Sequence, residues 1–449
     1  MSFMSGNDSP DQAHPTATHT DPPLRPTAER ATRTVRFWLI PVVVVSVLMS
    51  ILATLYIGGI VDPKKSLHDF PVAIVNNDFG ETTTAGDTTN YGNQIRDALV
   101  SGIDAEKVDL QEMGIARAQQ ELDNGTIFGA VVIPSDFTTR LNILGAAGVV
   151  AGDVDKPVIT VYTNPRAGSL GSSLVTSITD QALGEANSTV GNTLLTAVSE
   201  QAGADALSGA ARLTLAEPIQ LITTAHNPLP DGTALGLSAF YYALLLLLAG
   251  FTGATVVSAL VDSSLGFTPT EFGPFFKHGT PTEITRVHTL LIKWAIMAVV
   301  GLVVSGLYLL IATSLGMPAP HSLALWMYGA LAITAVGVTA VSIVSVFGTA
   351  GLLINLLLFV ILGLPSAGAT IPLAAAPRFF GWLAEFEPIH QVYLAVRAIT
   401  YFDGRYDAGL SGALPKTFAG LAIGIAFGLL LTWWYDRKGF ERRNTDLHR

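Results

Sequence analysis

The side chains in this sequence that could do chemistry are few, and their spacing argues against most reactions. Nine histidines are scattered without the short repeats that metal ligands need. No cysteine is present, which removes a thiolate nucleophile, a disulfide framework and a thiolate zinc or iron–sulfur site. No lysine follows a G-x-x-x-x-G pattern to cradle a nucleotide phosphate, and neither H-E-x-x-H nor G-x-S-x-G occurs. The sequence therefore offers no catalytic, cofactor-binding or metal-binding residues, and an enzyme is not expected. One polar run, Asn76-Asn77-Asp78-Phe79-Gly80, has the carboxylate and amides of a ligand loop; an Asx-held turn accounts for it more simply.

Two segments remain whose residue types suggest binding or movement. In 262–287, Glu271, Phe272, Phe275, Phe276 and Lys277 interleave aromatic and charged groups, and Glu283 and Arg286 follow in a stretch, 282–286, expected to begin a helix. Prolines cut the segment into short pieces, so it can present a knob to a partner. Aromatics resting on lipid headgroups are the plainer alternative. The second segment carries Pro365, Ser366, Gly368, Pro372, Pro388 and Arg397. Pro365 and Gly368 should break a helix. Beyond them, Phe386, Ile389, Tyr393, Val396 and Ile399 are spaced as one helical face, so 379–402 reads either as a helix lying at an interface or as one dipping back into the membrane.

Composition names the scaffold that must hold these segments. Of 449 residues, 49% are hydrophobic and 13% charged, with a mean hydropathy of +0.46; soluble domains carry about 25% charged residues. A net charge of −10 argues against nucleic acid as a partner. The chain reads as an integral membrane protein in contact with lipid. Stretches 37–60, 232–261 and 417–435 are free of charge, and 288–315 contains only Lys293, close enough to one end to snorkel. The 56 residues 322–377 hold no Asp, Glu, Lys or Arg; one helix of that length would measure about 84 Å. A fold-back near 347–351 gives helices over 323–346 and 351–371, and six membrane helices in all. Arg25, Arg30, Arg33 and Arg36 precede the first, and Arg437, Lys438, Arg442, Arg443 and Arg449 follow the last. The positive-inside rule then sets both termini in the cytoplasm of a multi-pass plasma-membrane protein. Arg378, Arg397, Arg405 and Lys416, in the outward 372–416 loop, run against it.

Five blocks follow: a disordered cytoplasmic tail over 1–32, a first membrane helix within 33–61, an extracytoplasmic α/β domain over 62–235, a five-helix domain over 236–436, and a basic tail over 437–449. The third block, 62–235, contains 21 acids and 9 bases. Its strands are expected at 71–76, 107–110, 127–133 and 157–162, and helices at 93–100, 115–122 and, capped by Ser135, around Phe137 and Leu141. From 168 to 215 no proline interrupts, and Leu170, Leu174 and Ile178 recur every four residues. That predicts a long helical arm or a helical pair, packed within the domain or used as a dimer contact.

In Val72-Ala-Ile-Val-Asn-Asn-Asp78-Phe-Gly80, Val131-Val-Ile-Pro-Ser-Asp-Phe137 and the Gly363-Leu-Pro-Ser-Ala-Gly368…Pro372…Pro377…Arg397 run, and in its layout of one helix, a large outer domain and five helices, the chain resembles the YhgE/Pip-like membrane proteins. These are a branch of the type-2 ABC exporter permeases. The resemblance implies a homo- or heterodimeric transport subunit without its own ATPase, with ATP on a cytoplasmic partner subunit docked at 262–287. It implies outward movement of a lipophilic or cell-envelope substrate. Relatives linked to phage adsorption and secretion assemblies imply an alternative, a non-transporting receptor or scaffold acting through the outer domain.

Overall fold

A computed structural model describes residues 35–82, 88–149, 154–202, 207–277 and 279–440. The tail expected over 1–32 and the end of the basic tail, 441–449, lie outside the described residues. Two units are distinguished, one ending at Ile51 and one running from Leu52 onward. The first is the leading part of helix α1 (Val35–Ile60), an apolar helix with Pro41 in its second turn.

The second unit opens with an α/β domain. Its strands are β1 (Phe70–Asn76), β4 (Val108–Glu112), β5 (Gly129–Ile133), β6 (Val158–Thr163) and β7 (Gln220–Ala225), with a small hairpin of β2 (Glu81–Thr82) and β3 (Thr88–Thr89) at one side. The five-stranded sheet has the order β4-β1-β5-β6-β7; only the β5–β6 pair is antiparallel. Strand β1 is interior, pairing Val72 with both Leu110 and Gly129. Its period-two alternation serves two cores. Phe70, Val72 and Ile74 face the helices α2 (Tyr91–Gly102), α4 (Phe137–Ala147) and α5 (Ser169–Ala202), while Ala73 and Val75 face α3 (Ile115–Asn124) through Ala118 and Leu122. A strand covered on both faces reads as the continuous apolar run seen in the sequence.

Helix α5 is 34 residues long and is followed by a short return helix, α6 (Gly209–Ala216). Leu174, Val175, Leu183, Val190 and Leu194 of α5 are buried in the domain's own core. The helical-pair reading therefore describes this stretch, and the packing is internal. Strand β7, rich in threonine and mostly exposed, went unread in the sequence. Ser135 does not cap α4; the cap residue is Asp136, without a side-chain bond, and the free N–H of Thr138 is taken by Asp78 instead.

Five helices among the described residues are long and apolar enough to cross a membrane, so the chain is membrane-embedded. They are α1, α7 (Leu237–Ser264), α8 (Arg286–Ser314), α9 (Ser322–Phe347) and α13 (Leu410–Arg437). The segment expected as a helix over 351–371 is a shorter apolar stretch, Ala350–Ser366. It starts as α10 (Ala350–Leu356), widens to a π-turn over Leu357–Leu362 and tightens to a 3₁₀ turn at Leu364–Ser366.

Helix α9 is the hub, packed on α7, α8 and α13. Small residues allow this closeness: a Cβ on Gly250 of α7 would sit 2.7 Å from Val336 Cβ, and one on Gly424 of α13 would sit 2.3 Å from Thr339 Oγ1. Two short helices, α11 (Arg378–Ala384) and α12 (Pro388–Tyr401), complete the domain. Helix α12 packs against α7, α9 and α13, and ten of its residues are buried. A helix lying at an interface would bury one face only, so α12 is an internal element of the bundle. Phe386 is not on its buried face: it precedes the helix, is exposed, and packs on Trp382.

Candidate functional sites

The residues singled out for partner docking fall at one end of the bundle. Thr270–Phe272 and Phe275–Lys277 form an antiparallel hairpin (β8 and β9), pairing Phe272 with Phe275 and Glu271 with Phe276. Its two-residue turn begins at Gly273 with φ +57°, the sign that primed hairpin turns require. The rings of Phe275 and Phe276 are 76% and 67% exposed, and Lys277 is exposed beside them. Single apolar surface residues are ordinary, but two adjacent phenylalanines on a hairpin tip are not.

Glu283 and Arg286 line a separate cleft of about 540 Å³, together with Phe267, Asp436 and Phe440. The stretch 282–286 does not begin the helix as expected. Helix α8 starts at Arg286, because Thr285 adopts extended backbone and its Oγ1 accepts from the N–H of His288. The neighbouring orphan donors, the N–H groups of Arg286 and Val287, bond the Asp436 carboxylate at 3.0 and 3.1 Å. Arg286 Nε donates to the Phe440 carbonyl, and its guanidinium lies over the Tyr435 ring. The hairpin's exit is thereby clamped to the end of α13. Lys293 does not snorkel: it is fully buried and pairs with Asp262 of α7 at 2.9 Å.

The second predicted group is split between two places. Pro365, Ser366, Gly368, Pro372 and Pro388 gather around the helix break. Ser366 Oγ donates to the carbonyls of Leu362 and Gly363, as Pro365 cannot continue the ladder, and Gly368 turns the chain with φ +69°. Pro372 leads into a short turn whose Ala374 carbonyl accepts from His68 N of the α/β domain, and Pro388 opens α12. Glu387, just before it, is 2% exposed, and its Oε2 has no partner. Burial pushes this carboxyl up to about 8. One turn on, His390 Nδ1 bonds the Ala367 carbonyl, and burial lowers its basicity.

Arg397 lies elsewhere, at the junction with the α/β domain. Its Nη1 donates to the Ala167 carbonyl, and its guanidinium lies over Tyr393 and Phe402. Sequence reasoning missed the rest of this junction. Asp123 accepts from His226 (2.9 Å), Asn227 (2.7 Å) and Arg405 (3.0 Å). Burial raises the Asp123 carboxyl, but His226 and Arg405 outweigh it and hold the group below the usual range. The Tyr401 hydroxyl accepts from Ala239 N at the start of α7 and pairs with Ser238. The available signal was a scatter of lone charges at helix ends and in loops.

The Asn76–Gly80 run is structural. Asp78 Oδ1 accepts from Thr138 N and Oδ2 from Gly92 N and the Thr138 hydroxyl, so one carboxylate caps both α4 and α2. Asn76 Oδ1 accepts from Asp78 N, and its Nδ2 donates to Asn93. Asp78 has its donors supplied from within the domain.

The arrangement defines a membrane protein with a helix bundle, a mixed α/β domain and an exposed hairpin. The family model described as protein of unknown function (DUF3533) matches residues 41–434, and the chain belongs to that family. No curated protein and no solved structure matches it.

Proposed function

We propose that this chain is the membrane-spanning subunit of an exporter energised by a separate ATPase, moving a lipophilic or cell-envelope substrate outward. In this reading the short stretch Ala350–Ser366 completes six crossings, the termini and the β8–β9 hairpin are cytoplasmic, and 62–235 lies outside. The observation that carries it is the hairpin: two exposed phenylalanines beside a tight turn, linked through 281–286 to the start of α8, which Asp436 ties to α13. A push on the hairpin would act on two of the three long helices packed against α9. At the opposite end, α12 carries the contacts to the outer domain through Arg397 and Tyr401. The resemblance to the YhgE/Pip-like permeases supports the same assignment and a paired arrangement of subunits.

The test is recovery of partners with tagged full-length chain from its own membranes. An ATPase subunit should co-purify, and Phe275→Ala/Phe276→Ala should lose both that subunit and export while the chain still inserts. Retention of both by the double variant overturns the docking assignment. Uphill transport by the chain alone in vesicles overturns the reading altogether.

A further inference from the structure

Helices α8 and α13 meet at the hairpin end, where Asp436 caps α8 and Trp294 lies against Gly428. Towards the other end they part over α9 and leave a groove of about 650 Å³, within the range of small-molecule sites, roughly 300–1,000 Å³. Leu302 forms one wall, Leu414 and Phe418 the other, and Met327, Tyr328 and Leu331 the floor. Met327 and Phe418 are half-exposed, so the groove opens sideways from helices apolar enough to stand in lipid. Its inner polar groups are already used. Tyr328 Oη bonds Thr417 and the Gln391 carbonyl, and Thr334 Oγ1 donates to the Ala330 carbonyl. The walls therefore ask for an aliphatic chain.

The rim at the α/β end is different. His321 Nε2 pairs with Asp403 Oδ1 at 2.7 Å, and both residues line the groove. The Asp403 side chain is 80% exposed and has no second ion pair among the described residues. Of the cations nearby in the chain or in charge interaction with Asp403, Arg405 is engaged by Asp123 and Arg166 by the carbonyls of Tyr401 and Pro228, and Asp407 adds a further exposed acid. An apolar slot with an acidic mouth complements one kind of molecule. We propose that the groove binds a single-chain amphiphile, its aliphatic chain along α9 and its ammonium head at Asp403. Its use as the entrance for an exported substrate rests on the function proposed above; its occupancy does not.

The test uses full-length protein in phosphatidylcholine nanodiscs and a hexadecyl chain bearing a photoreactive diazirine, with either a trimethylammonium or a sulfonate head. The ammonium probe should label peptides around Leu302, Met327 and Phe418, saturably and in competition with unlabelled hexadecyltrimethylammonium. It should exceed the sulfonate about three- to fivefold, the upper part of the range for an exposed charge pair. Asp403→Asn, an exposed and conservative change, should erase that preference, and Thr334→Trp should block labelling by either probe. Uniform labelling of lipid-facing positions such as Val299 and Val303, equal labelling by both heads, or a sulfonate preference overturns the proposal. Labelling as expected without export in cells would sink the transport reading and leave the groove. Export without groove labelling would do the reverse.

Discussion

The guanidinium of Arg166, just beyond β6, donates from Nη1 to the carbonyl oxygen of Tyr401 at the end of α12, 2.9 Å away, and from Nη2 to the carbonyl of Pro228. One side chain thus joins the α/β domain, the chain leading into α7 and the last turn of an internal bundle helix. Tyr401 extends the connection, because its hydroxyl holds the start of α7. Helix α12 is therefore tied to the α/β domain and to α7 by hydrogen bonds to and from main-chain groups.

Replacing Arg166 with alanine leaves two carbonyls without their charged donor, and bonds of this kind are each worth about 1.5–3 kcal/mol. The residue is only partly buried, so the lower end applies. Thermal unfolding of Arg166→Ala should start several degrees lower, with faster protease cutting in 226–236. Arg166→Lys should recover part of the loss, because an ammonium cannot serve both carbonyls with the same fork. Unchanged melting and cutting would mean that the junction is held by apolar packing alone.

The Lys293–Asp262 pair gives a second expectation. Removing one partner takes the ion pair from the other charge, which for a buried pair costs up to about 3–5 kcal/mol, whereas removing both removes the two charges together. Lys293→Met and Asp262→Asn should each lower the yield of folded protein from detergent, and the double variant should recover most of it. A double variant as impaired as the sum of the singles would assign the two residues independent roles.

Glu387 makes stability depend on pH with a definite sign. Its ordinary pKa is 4.5 and burial pushes it up to about 8 in the fold, so the folded chain holds the proton more tightly than the unfolded one. That contribution is full below about 4.5 and is lost as pH rises to about 8. The nearby charges are Glu385 and Lys416, which neutralise one another, and His390 on the same helix. The melting midpoint of the intact protein should fall between pH 6 and pH 8.5, and Glu387→Gln should flatten that dependence. A midpoint that rises with pH over this window, or one unaltered by the amide, removes the neutral-acid assignment.

Much of this architecture was legible because burial leaves a period. Phe70, Val72 and Ile74 against Ala73 and Val75 mark a strand covered on both faces, and charge-free runs mark the long helices. Ala350–Ser366 was harder. Its composition is that of a spanning helix, and Pro365 and Gly368 announce a break, but no residue type marks the π-turn over Leu357–Leu362, where the Val360 carbonyl accepts from Tyr56 Oη. Strand β7 was hidden because its Thr and Gln side chains are exposed at a sheet edge and show no apolar alternation.

The sites divide in the same way. The exposure of Phe275 and Phe276 was legible, because prolines on both sides keep these adjacent aromatics out of a packed helix. The Asn76–Gly80 run was legible as an Asx turn, which Asn76 makes, but Asp78 was not legible as the shared cap of α2 and α4, since Gly92 and Thr138 are far from it in the chain. Lys293 and Asp262 belong to different helices, so each looked like an end-of-span charge. Arg397 has a spacing that fits the helix break, while its contacts belong to the junction with Ala167.

Gly424 and Gly420 provide a test of the bundle that carries its own control. Both lie on α13, one turn apart. A Cβ on Gly424 would stand 2.3 Å from Thr339 Oγ1 and 3.0 Å from its Cα, whereas one on Gly420 meets nothing within 4 Å. Leucine at 424 must push α13 off α9 or twist Thr339 out of its bond to the Ala335 carbonyl, and overpacking of this kind costs about 1–3 kcal/mol. Leucine at 420 only adds lipid-facing surface. Gly424→Leu should therefore lower the melting midpoint and the yield of monodisperse protein, and Gly420→Leu should leave both within error. Since α13 and α8 are clamped together at Asp436, displacement by Gly424→Leu should also weaken whatever engages the hairpin, a long-range effect that a purely local clash would not produce. Equal behaviour of the two leucine variants would mean that α13 does not approach α9 this closely.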